Sequence, residues 1–211
     1  MSLLTIKKRM FIASAEDWGL PKGYTKVEYI ESTTDKEWFD TGLISSSSLR
    51  AEGKVYATPS TDDRKFVYGG ETRSLLSIKD TTCFNIDKNG GWEVRCGTDE
   101  HAGLKTGVLT VTFDVDRSRA IINGETAATY SCSDYEASRT VYIFGINSAT
   151  RVSANKGDNG LMRLYWLKFY SNNTLVRDFI PCLDTSGTAC LFDRVNQTTY
   201  YNKGSGTVTY G

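Results

Sequence analysis

The C-terminal quarter of the chain consists of apolar stretches separated by short turns. Leu161–Tyr170 is a long apolar stretch, and Ser171–Thr174 is a tight turn that leads into a second strand over Leu175–Ile180. Proline cannot donate a ladder hydrogen bond, so Pro181 is expected to end that second strand. Leu191–Asn202 has the pattern of one further hairpin. This part of the sequence therefore predicts consecutive antiparallel strands.

The preceding part of the chain repeats the pattern. Residues 49–57 alternate apolar and polar side chains, and Leu109–Val115 does the same, which indicates antiparallel strands with one solvent-facing side. The Asn123-Gly124 pair is a strong signal for a type I′ hairpin. Ser133–Glu136 has capping-box spacing and predicts a single helical turn, and no long helix is expected. Strands separated by Gly and Asp turns predict an all-β, antiparallel two-sheet sandwich.

Several of these motifs occur in an order that is typical of a known family. They are Leu20–Thr33 and Phe39–Gly42 at the start, Phe66–Gly70, Thr110–Asp116, Ile122–Gly124 and Val141–Asn147 in the middle, and the C-terminal strands. Together they resemble the concanavalin A-like (LamG-like) jelly-roll domains of bacteriophage tail and virion proteins and of gut bacterial surface proteins. The resemblance covers residues 20–211, departs from the family at Thr34–Trp38, and implies one jelly-roll domain. It carries over no ligand site, because the matching motifs are strands and turns.

Length and charge exclude several other classes of protein. The 211 residues suit one domain with a full hydrophobic core. The 25 basic residues balance the 25 acidic residues, which argues against electrostatic nucleic-acid binding. No apolar run reaches the roughly 18 residues that a membrane-spanning helix needs, so none is expected.

Cysteine and histidine usage predicts neither a disulfide framework nor a zinc site. The five cysteines are odd in number and scattered, and only one histidine is present. They are Cys83, Cys96, Cys132, Cys182 and Cys190. Buried free thiols in a reducing cytoplasm are the preferred interpretation, and a Cys182–Cys190 bridge is the alternative. No cofactor is expected; calcium is the one option, with Asp62-Asp63 and Asn155–Asn159 as oxygen-rich stretches that are more often simply solvated.

Residues 1–19 precede the resemblance and form a predicted N-terminal arm. The apolar stretch after Lys7-Lys8-Arg9 is too short for a secretion signal. One interpretation is a flexible tail, and the preferred one is an arm that docks on a partner, because the arm cannot bury its apolar side chains alone. The docking residues would be Leu4, Ile6, Met10, Phe11 and Ile12. Residues 20–211 are expected to fold without the arm.

The sequence lacks the residue pattern of an enzyme. Glycosidases of this superfamily need two carboxylates about 5–9 Å apart across the substrate. Glu28 and Glu31 are three residues apart and so lie on opposite strand faces, and Asp114 and Asp116 share a face with no neighbouring glutamate in sequence. The only histidine, His101, lies in a Gly/Asp-rich stretch without a predicted nucleophile. The protein is therefore predicted to be non-catalytic.

Binding of a glycan needs aromatic rings for sugar C–H faces and planar polar groups for sugar hydroxyls. The candidate residues are Trp38, Tyr68, Asn85, Trp92, Arg95 and Trp166. For each aromatic, core packing is the alternative interpretation. Strict alternation along the long C-terminal strand would place Tyr165, Leu167 and Phe169 on one face and Leu164, Trp166 and Lys168 on the other.

Two functions follow from the resemblance. The first is a non-catalytic structural protein of a phage virion, which would be a tail or head-fibre/decoration component with a role in host attachment. It would present a lectin-like sandwich, with glycan binding as an additional function. The alternative is a carbohydrate-binding module of a bacterial surface protein. The expected partners are other virion or surface proteins bound through the arm, a host-surface glycan and further copies of the chain, with neither nucleic acid nor membrane. The expected location is the virion, assembled in the bacterial cytoplasm, or else the bacterial cell surface.

Overall fold

The computed structural model describes residues 18–34, 36–57, 64–70, 74–79, 83–88, 93–96, 110–129, 134–148, 151–154 and 161–211. Within these ranges the chain forms strands and turns, with no helix that is long and apolar enough to cross a membrane. In chain order the strands are β1 (Thr25–Lys26), β2 (Ile30–Ser32), β3 (Phe39–Ser46), β4 (Leu49–Ala57), β5 (Arg64–Gly70), β6 (Ser74–Lys79), β7 (Cys83–Lys88), β8 (Glu93–Cys96), β9 (Thr110–Val115), β10 (Arg119–Ile122), β11 (Glu125–Thr129), β12 (Glu136–Ile143), β13 (Gly145–Ser148), β14 (Arg151–Ala154), β15 (Met162–Ser171), β16 (Thr174–Leu183), β17 (Ala189–Asp193), β18 (Thr198–Tyr201) and β19 (Thr209–Tyr210).

The strands form two sheets, which confirms the predicted all-β sandwich. The larger, 11-stranded sheet has the order β11-β10-β9-β4-β15-β16-β17-β18, with β1 beside β16 and β2 joined to both β15 and β19. The smaller, 8-stranded sheet has the order β14-β13-β5-β6-β7-β8, with β12 joined to β3 and β5. Among the described strands the pairings are antiparallel, apart from a parallel contact between β13 and β5.

The two ends of the described chain lie side by side in the larger sheet. Strand β1 pairs with β16, and β19 pairs with β2. The backbone N–H of Glu28 donates to the carbonyl oxygen of Gly211 at 2.7 Å. The predicted neighbourhood of the N- and C-terminal segments is therefore confirmed.

Aromatic side chains fill the space between the sheets. Tyr68 of β5 meets Phe169 of β15 edge to face, with ring centroids 5.4 Å apart, and Phe169 meets Phe179 of β16 at 6.4 Å. All three are buried, with 0–1% of their surface exposed. Burial of one such side chain contributes about 1.5–3 kcal/mol to stability, so this cluster is a main source of cohesion between the sheets.

Strand β16 continues through Pro181, so the prediction that this proline ends the strand is wrong. Pro181 lies opposite Leu191 of β17, and its carbonyl oxygen accepts a hydrogen bond from the N–H of Val27 at 3.3 Å. The backbone N and C=O of one strand residue point to the same side of the strand. The nitrogen of Pro181, which carries no hydrogen, therefore faces β1 and not β17. Strand β1 ends at Lys26, just before Val27, and the ladder to β17 loses no donor there.

Two of the turns predicted from the sequence are confirmed, and a third is wrong. Asn123 and Gly124 have φ values of 51° and 84°, and Asn172 and Asn173 have values of 48° and 63°, which confirms two tight hairpin turns with left-handed residues. The predicted helical turn at Ser133–Glu136 is wrong, because Glu136 begins strand β12. Pairing of β12 with β3 stabilises an extended backbone there and outweighs the local capping signal.

A β-bulge in β15 moves two aromatic side chains to the same side of the sheet. The register with β4 skips one residue between Leu164 and Trp166, so Tyr165 is an extra residue. Leu164 and Leu167 are both fully buried, whereas Tyr165 and Trp166 between them are half-buried. The predicted faces are therefore wrong at this point: Tyr165 does not share a face with Leu167, and Trp166 does not share a face with Leu164.

The segment from Trp18 to Tyr24 covers one end of the larger sheet. It packs on four buried residues of β16 and β17, namely Ile180, Cys182, Cys190 and Phe192. The ammonium of Lys26 lies 3.1 Å from the centroid of the Trp18 ring, a cation–π contact. The thiols of Cys182 and Cys190 are free, and their sulfur atoms are 3.4 Å apart.

Trp18→Ala is expected to lower the free energy of unfolding by about 2 kcal/mol, since it removes a half-buried ring and its cation–π contact. Thermal melting checks this. Deletion of residues 1–17 is the matched comparison, because it leaves Trp18 in place and removes only the rest of the predicted arm, which is expected to be unnecessary for folding. A Trp18→Ala variant that melts like the parent would contradict the packing role given to this side chain.

Candidate functional site

The solvent-facing side of the larger sheet is both polar and aromatic where β9, β4 and β15 lie side by side. Along β4, buried and half-buried residues alternate without interruption. Paired residues of antiparallel neighbours project to the same side, so the half-buried residues of the three strands form one continuous surface. We call this surface the outer face. Its residues are Arg50, Glu52, Lys54 and Tyr56 of β4, Asp114 of β9, Arg163, Tyr165, Trp166, Lys168 and Tyr170 of β15, Glu31 of β2, and Tyr29 just before β2.

At one end of the outer face, Arg50 binds two carboxylates. Its Nε donates to Asp114 Oδ1 at 2.6 Å and its Nη2 donates to Asp114 Oδ2 at 2.8 Å, a bidentate geometry. The same Nη2 donates to Glu52 Oε2 at 2.8 Å. The hydrogen bond with Asp114 raises the pKa of the Arg50 guanidinium above its ordinary value, against the opposing effect of partial burial. These contacts fix three charged side chains in one arrangement.

The second oxygen of Glu52 extends this arrangement to β15. Tyr170 Oη donates to Glu52 Oε1 at 2.7 Å, and Lys168 Nζ lies 3.4 Å from the same oxygen. Burial, followed by the hydrogen bond with Glu52, raises the pKa of Tyr170 to about 12. Sequence reasoning placed no glutamate beside Asp114, but the β4–β9 register places Glu52 directly opposite it. All four oxygens of the two carboxylates accept hydrogen bonds from side chains, so both carboxylates are fixed in position.

The other end of the outer face is organised by Arg163. Its Nε donates to Glu31 Oε2 at 2.6 Å. Its guanidinium carbon lies 4.4 Å from the ring centroid of Tyr29 and 4.9 Å from that of Tyr56, so two rings enclose one cation. Thr209 of β19 donates to the other oxygen of Glu31 at 3.0 Å. This cluster is also preorganised by its own contacts.

The bulged pair Tyr165 and Trp166 lies between the two charged clusters. Lys54 Nζ is 4.6 Å from the Tyr165 ring centroid, and Tyr29 meets Tyr165 edge to face at 5.7 Å. Trp166 has a looser cation contact, since Lys168 Nζ is 5.4 Å from its ring. Because Lys168 also binds Glu52, it is drawn away from Trp166. Of the outer-face rings, Trp166 is the largest, and its cation contact is longer than those of Tyr29, Tyr56, Tyr165 and Tyr170.

The predicted ligand residues do not form a single cluster. Trp166 lies on the outer face, whereas Trp38 lies beside β3 of the smaller sheet. Tyr68 is 1% exposed and packs between the sheets, so its assignment to a ligand site is corrected to the core; burial raises the pKa of its hydroxyl. Asn85 and Arg95 lie directly opposite each other in the backbone register of β7 and β8. Trp92 lies outside the described residues.

Trp38 has its own local environment on the other sheet. Its ring stacks on Tyr142 of β12, with centroids 6.4 Å apart and planes at 18°. Its backbone N–H donates to Asn202 Oδ1 at 3.0 Å, and its carbonyl oxygen accepts from the N–H of Lys203 at 2.8 Å. Glu37 beside it is buried and accepts hydrogen bonds from Ser32 and Thr34, so local polar contacts hold this side chain.

Most residues of the outer face were missed by sequence reasoning. The alternation of residues 49–57 correctly predicted a solvent-facing side that carries Arg50, Glu52, Lys54 and Tyr56. The partner strands of that side follow only from the sheet order, which local patterns do not specify. The two stretches proposed as calcium ligands, residues 62–63 and 155–159, lie outside the described residues. Among the residues that are described, no group of three or more His, Cys, Asp or Glu side chains is placed to hold a metal ion.

Comparison with known proteins supports the fold. No protein-family model and no curated protein matches the chain. The structure is similar to that of a solved protein from Bacteroides ovatus ATCC 8483 described as a "putative carbohydrate binding protein", with a TM-score of 0.51 and 14% sequence identity. The match covers 88% of this chain and 60% of the Bacteroides protein, so the chain spans about three fifths of that neighbour. At this level of identity, the likeness supports the two-sheet β-sandwich fold.

Proposed function

We propose that the protein is a non-catalytic carbohydrate-binding module and that its outer face contacts the glycan. The observation that carries this proposal is the half-buried Trp166 ring, displayed by the β15 bulge between two fixed charged clusters. A flat ring with polar groups on both sides is the arrangement that a pyranose needs, since a sugar has an apolar C–H face and a rim of hydroxyls.

Charge on the outer face favours a neutral glycan. Four cations, Arg50, Lys54, Arg163 and Lys168, face three carboxylates, Glu31, Glu52 and Asp114. The three carboxylates are each bound to at least one of these cations. A surface with nearly balanced charge gives little long-range attraction to an anionic polymer. Its fixed donors and acceptors can instead bind hydroxyls without a large loss of side-chain entropy.

The Bacteroides protein of similar fold is described as a "putative carbohydrate binding protein", which is in line with this proposal. At 14% identity, the likeness extends to the fold alone. The virion assignment stays a prediction from the resemblance. The docking role of residues 1–19 and the homo-oligomer stay predictions from the sequence, and the five proposed docking residues lie outside the described residues. The proposed function does not depend on them.

Binding to a panel of neutral polysaccharides tests the proposal. We expect the protein to be retarded in native gels that contain xylan, mannan, galactan or mixed-linkage β-glucan, with at least one polymer clearly preferred. Trp166→Ala should weaken binding to that polymer by about tenfold or more, which corresponds to roughly 1.4 kcal/mol. No reducing ends should be released from any of the polymers.

Trp38→Ala is the matched control, since it removes the same side chain from the opposite sheet. If Trp38→Ala abolished binding and Trp166→Ala left it intact, the site would lie at β3 and β12 and the outer face would lose its assigned role. Release of reducing ends that disappeared on an Asp or Glu substitution would show instead that the protein is a hydrolase.

A further inference from the structure

A polar cavity lies at the end of the sandwich beside Arg50. Three turns form it: Ser47-Ser48 between β3 and β4, Asp116–Ser118 between β9 and β10, and Asn172-Asn173 between β15 and β16. Arg50 contributes the remaining part of the wall, and the volume is about 280 Å³. The lining residues carry hydroxyl, amide, guanidinium or carboxylate groups, and none of them is apolar. Such a cavity suits a small ligand with many hydroxyl groups.

Most of the cavity wall is held rigid by contacts with neighbouring residues. Asp116 Oδ1 accepts hydrogen bonds from the N–H of Ser118 at 2.6 Å, from the Ser118 hydroxyl at 2.8 Å and from the N–H of Arg119 at 2.9 Å. Partial burial raises the pKa of Asp116, but these hydrogen bonds outweigh it and lower that pKa below its ordinary value. The Ser47 hydroxyl donates to Asp134 Oδ1 at 3.3 Å, and Ser47 N–H donates to the carbonyl oxygen of Tyr135 at 3.0 Å.

The Asn172-Asn173 turn contributes two side-chain amides to the exposed rim of the cavity. Both residues adopt left-handed backbone conformations, with φ values of 48° and 63°. The second residue of such a turn is normally glycine, as Gly124 is in the β10–β11 turn of this chain. Asparagine tolerates the left-handed backbone of this position, although less well than glycine. Neither amide forms a hydrogen bond with a described residue, so both are available to a ligand at the exposed rim of the cavity.

The cavity is continuous with the outer face. Arg50 lines the cavity and also holds Asp114 and Glu52 of the outer face. Tyr170, whose ring lies 4.5 Å from the Arg50 guanidinium, precedes the Asn172-Asn173 turn by two residues. A chain of sugars that crosses Trp166 and Tyr170 would therefore end at the cavity. The volume is at the lower limit of typical small-molecule pockets, which suits one sugar ring rather than several.

We propose that this cavity binds the terminal hexopyranose of a neutral glycan whose following residues lie on the outer face. The Asn172 and Asn173 amides bind the hydroxyls of that terminal ring. The hydroxyl oxygens of Ser48 and Ser118, which also contact Ser46 and Asp116, accept further hydrogen bonds from it. The protein thereby recognises glycan chain ends rather than internal stretches. This inference rests on the proposed function of the outer face and adds the ligand of a second subsite.

Two cavity variants and two kinds of probe test the inference. Asn173→Gly removes one amide and places the favoured residue in the turn, so the variant should melt at or above the parent temperature. Ser118→Ala removes one hydroxyl from the rim. The probes are the methyl glycosides of glucose, galactose and mannose, followed by ligand-observed NMR, and pentasaccharides of the preferred polysaccharide, followed by calorimetry.

We expect the parent to bind one methyl glycoside weakly and to bind the pentasaccharide more tightly. Asn173→Gly and Ser118→Ala should each weaken pentasaccharide binding by about tenfold and remove the methyl glycoside signal, whereas Trp166→Ala should keep that signal.

If both cavity variants bound the pentasaccharide like the parent while Trp166→Ala did not, the cavity would have no role and the outer-face site would stand. If the methyl glycoside signal were kept in Trp166→Ala and lost in Asn173→Gly, but no polysaccharide bound, the cavity would stand and the outer-face proposal would fail. No binding of either probe by the parent would overturn both.

Discussion

Phe169→Ala is expected to lower the free energy of unfolding by about 4 kcal/mol, the largest loss that we predict for a single side chain. Phe169 is fully buried, and its ring lies between Tyr68 of the smaller sheet and Phe179 of the larger sheet. Alanine would leave a cavity at the point where the sheets meet, and rigid strands on both sides cannot collapse into it. A chain of this size loses roughly 2–4 °C of melting temperature per kcal/mol, so thermal denaturation measures the effect easily.

Tyr170→Phe is the control for Phe169→Ala, because the two residues are adjacent and point to opposite sides of β15. This variant removes only the hydroxyl that donates to Glu52 at 2.7 Å and should lower stability by about 1 kcal/mol. Equal losses for the two variants would contradict the assignment of Phe169 to the core and Tyr170 to the outer face.

Gly53→Ala is expected to reduce both stability and carbohydrate binding. A Cβ atom at this position would lie 2.7 Å from the Phe113 ring and 2.9 Å from the backbone oxygen of Trp166. The ring can rotate, but the backbone oxygen belongs to the β15 bulge, so the strand itself must shift. Overpacking of this kind costs about 1–3 kcal/mol, and the shift displaces the Trp166 ring from the outer face. We expect a loss of about 2 kcal/mol in urea denaturation and a severalfold loss of affinity in native gels.

Gly187→Ala separates the two effects of Gly53→Ala. Gly187 has a left-handed backbone with φ of 79°, and a Cβ atom there would meet nothing within 4 Å. Alanine should therefore destabilise the turn by about 1–2 kcal/mol through backbone strain alone. Because this turn joins β16 and β17, away from Trp166, carbohydrate binding should stay at the parent level. Weaker binding in Gly187→Ala would mean that affinity follows overall stability rather than the position of Trp166.

Local sequence patterns predicted much of the fold because they depend on nearest neighbours along the chain. The alternation at residues 49–57 and the Asn123-Gly124 turn are fixed by strand and turn geometry, and both are confirmed. The errors occur where a neighbouring strand determines the outcome. Pro181 is tolerated because β1 ends beside it, and Glu136 is extended because β12 pairs with β3.

The candidate site was harder to predict than the fold. Trp166 was identified from its chemistry, but the bulge that displays it has no signal in the apolar run from Leu161 to Tyr170. Tyr68 has the same aromatic character and lies in the core, because composition does not reveal which side of β5 faces the other sheet. The pairing of Glu52 with Asp114 joins residues 62 positions apart in the sequence, and only the sheet order brings them together.

The location of the glycan on the protein is the central claim, and backbone-amide NMR measures it most directly. The ¹⁵N-labelled protein would be titrated with an oligosaccharide of the polysaccharide that it binds best. We predict that the shifted amides cluster on β4, β15 and the start of β2, with further shifts in the Asn172-Asn173 turn. Shifts confined to the smaller sheet around Trp38 and Tyr142, with β4 and β15 unchanged, would contradict the account.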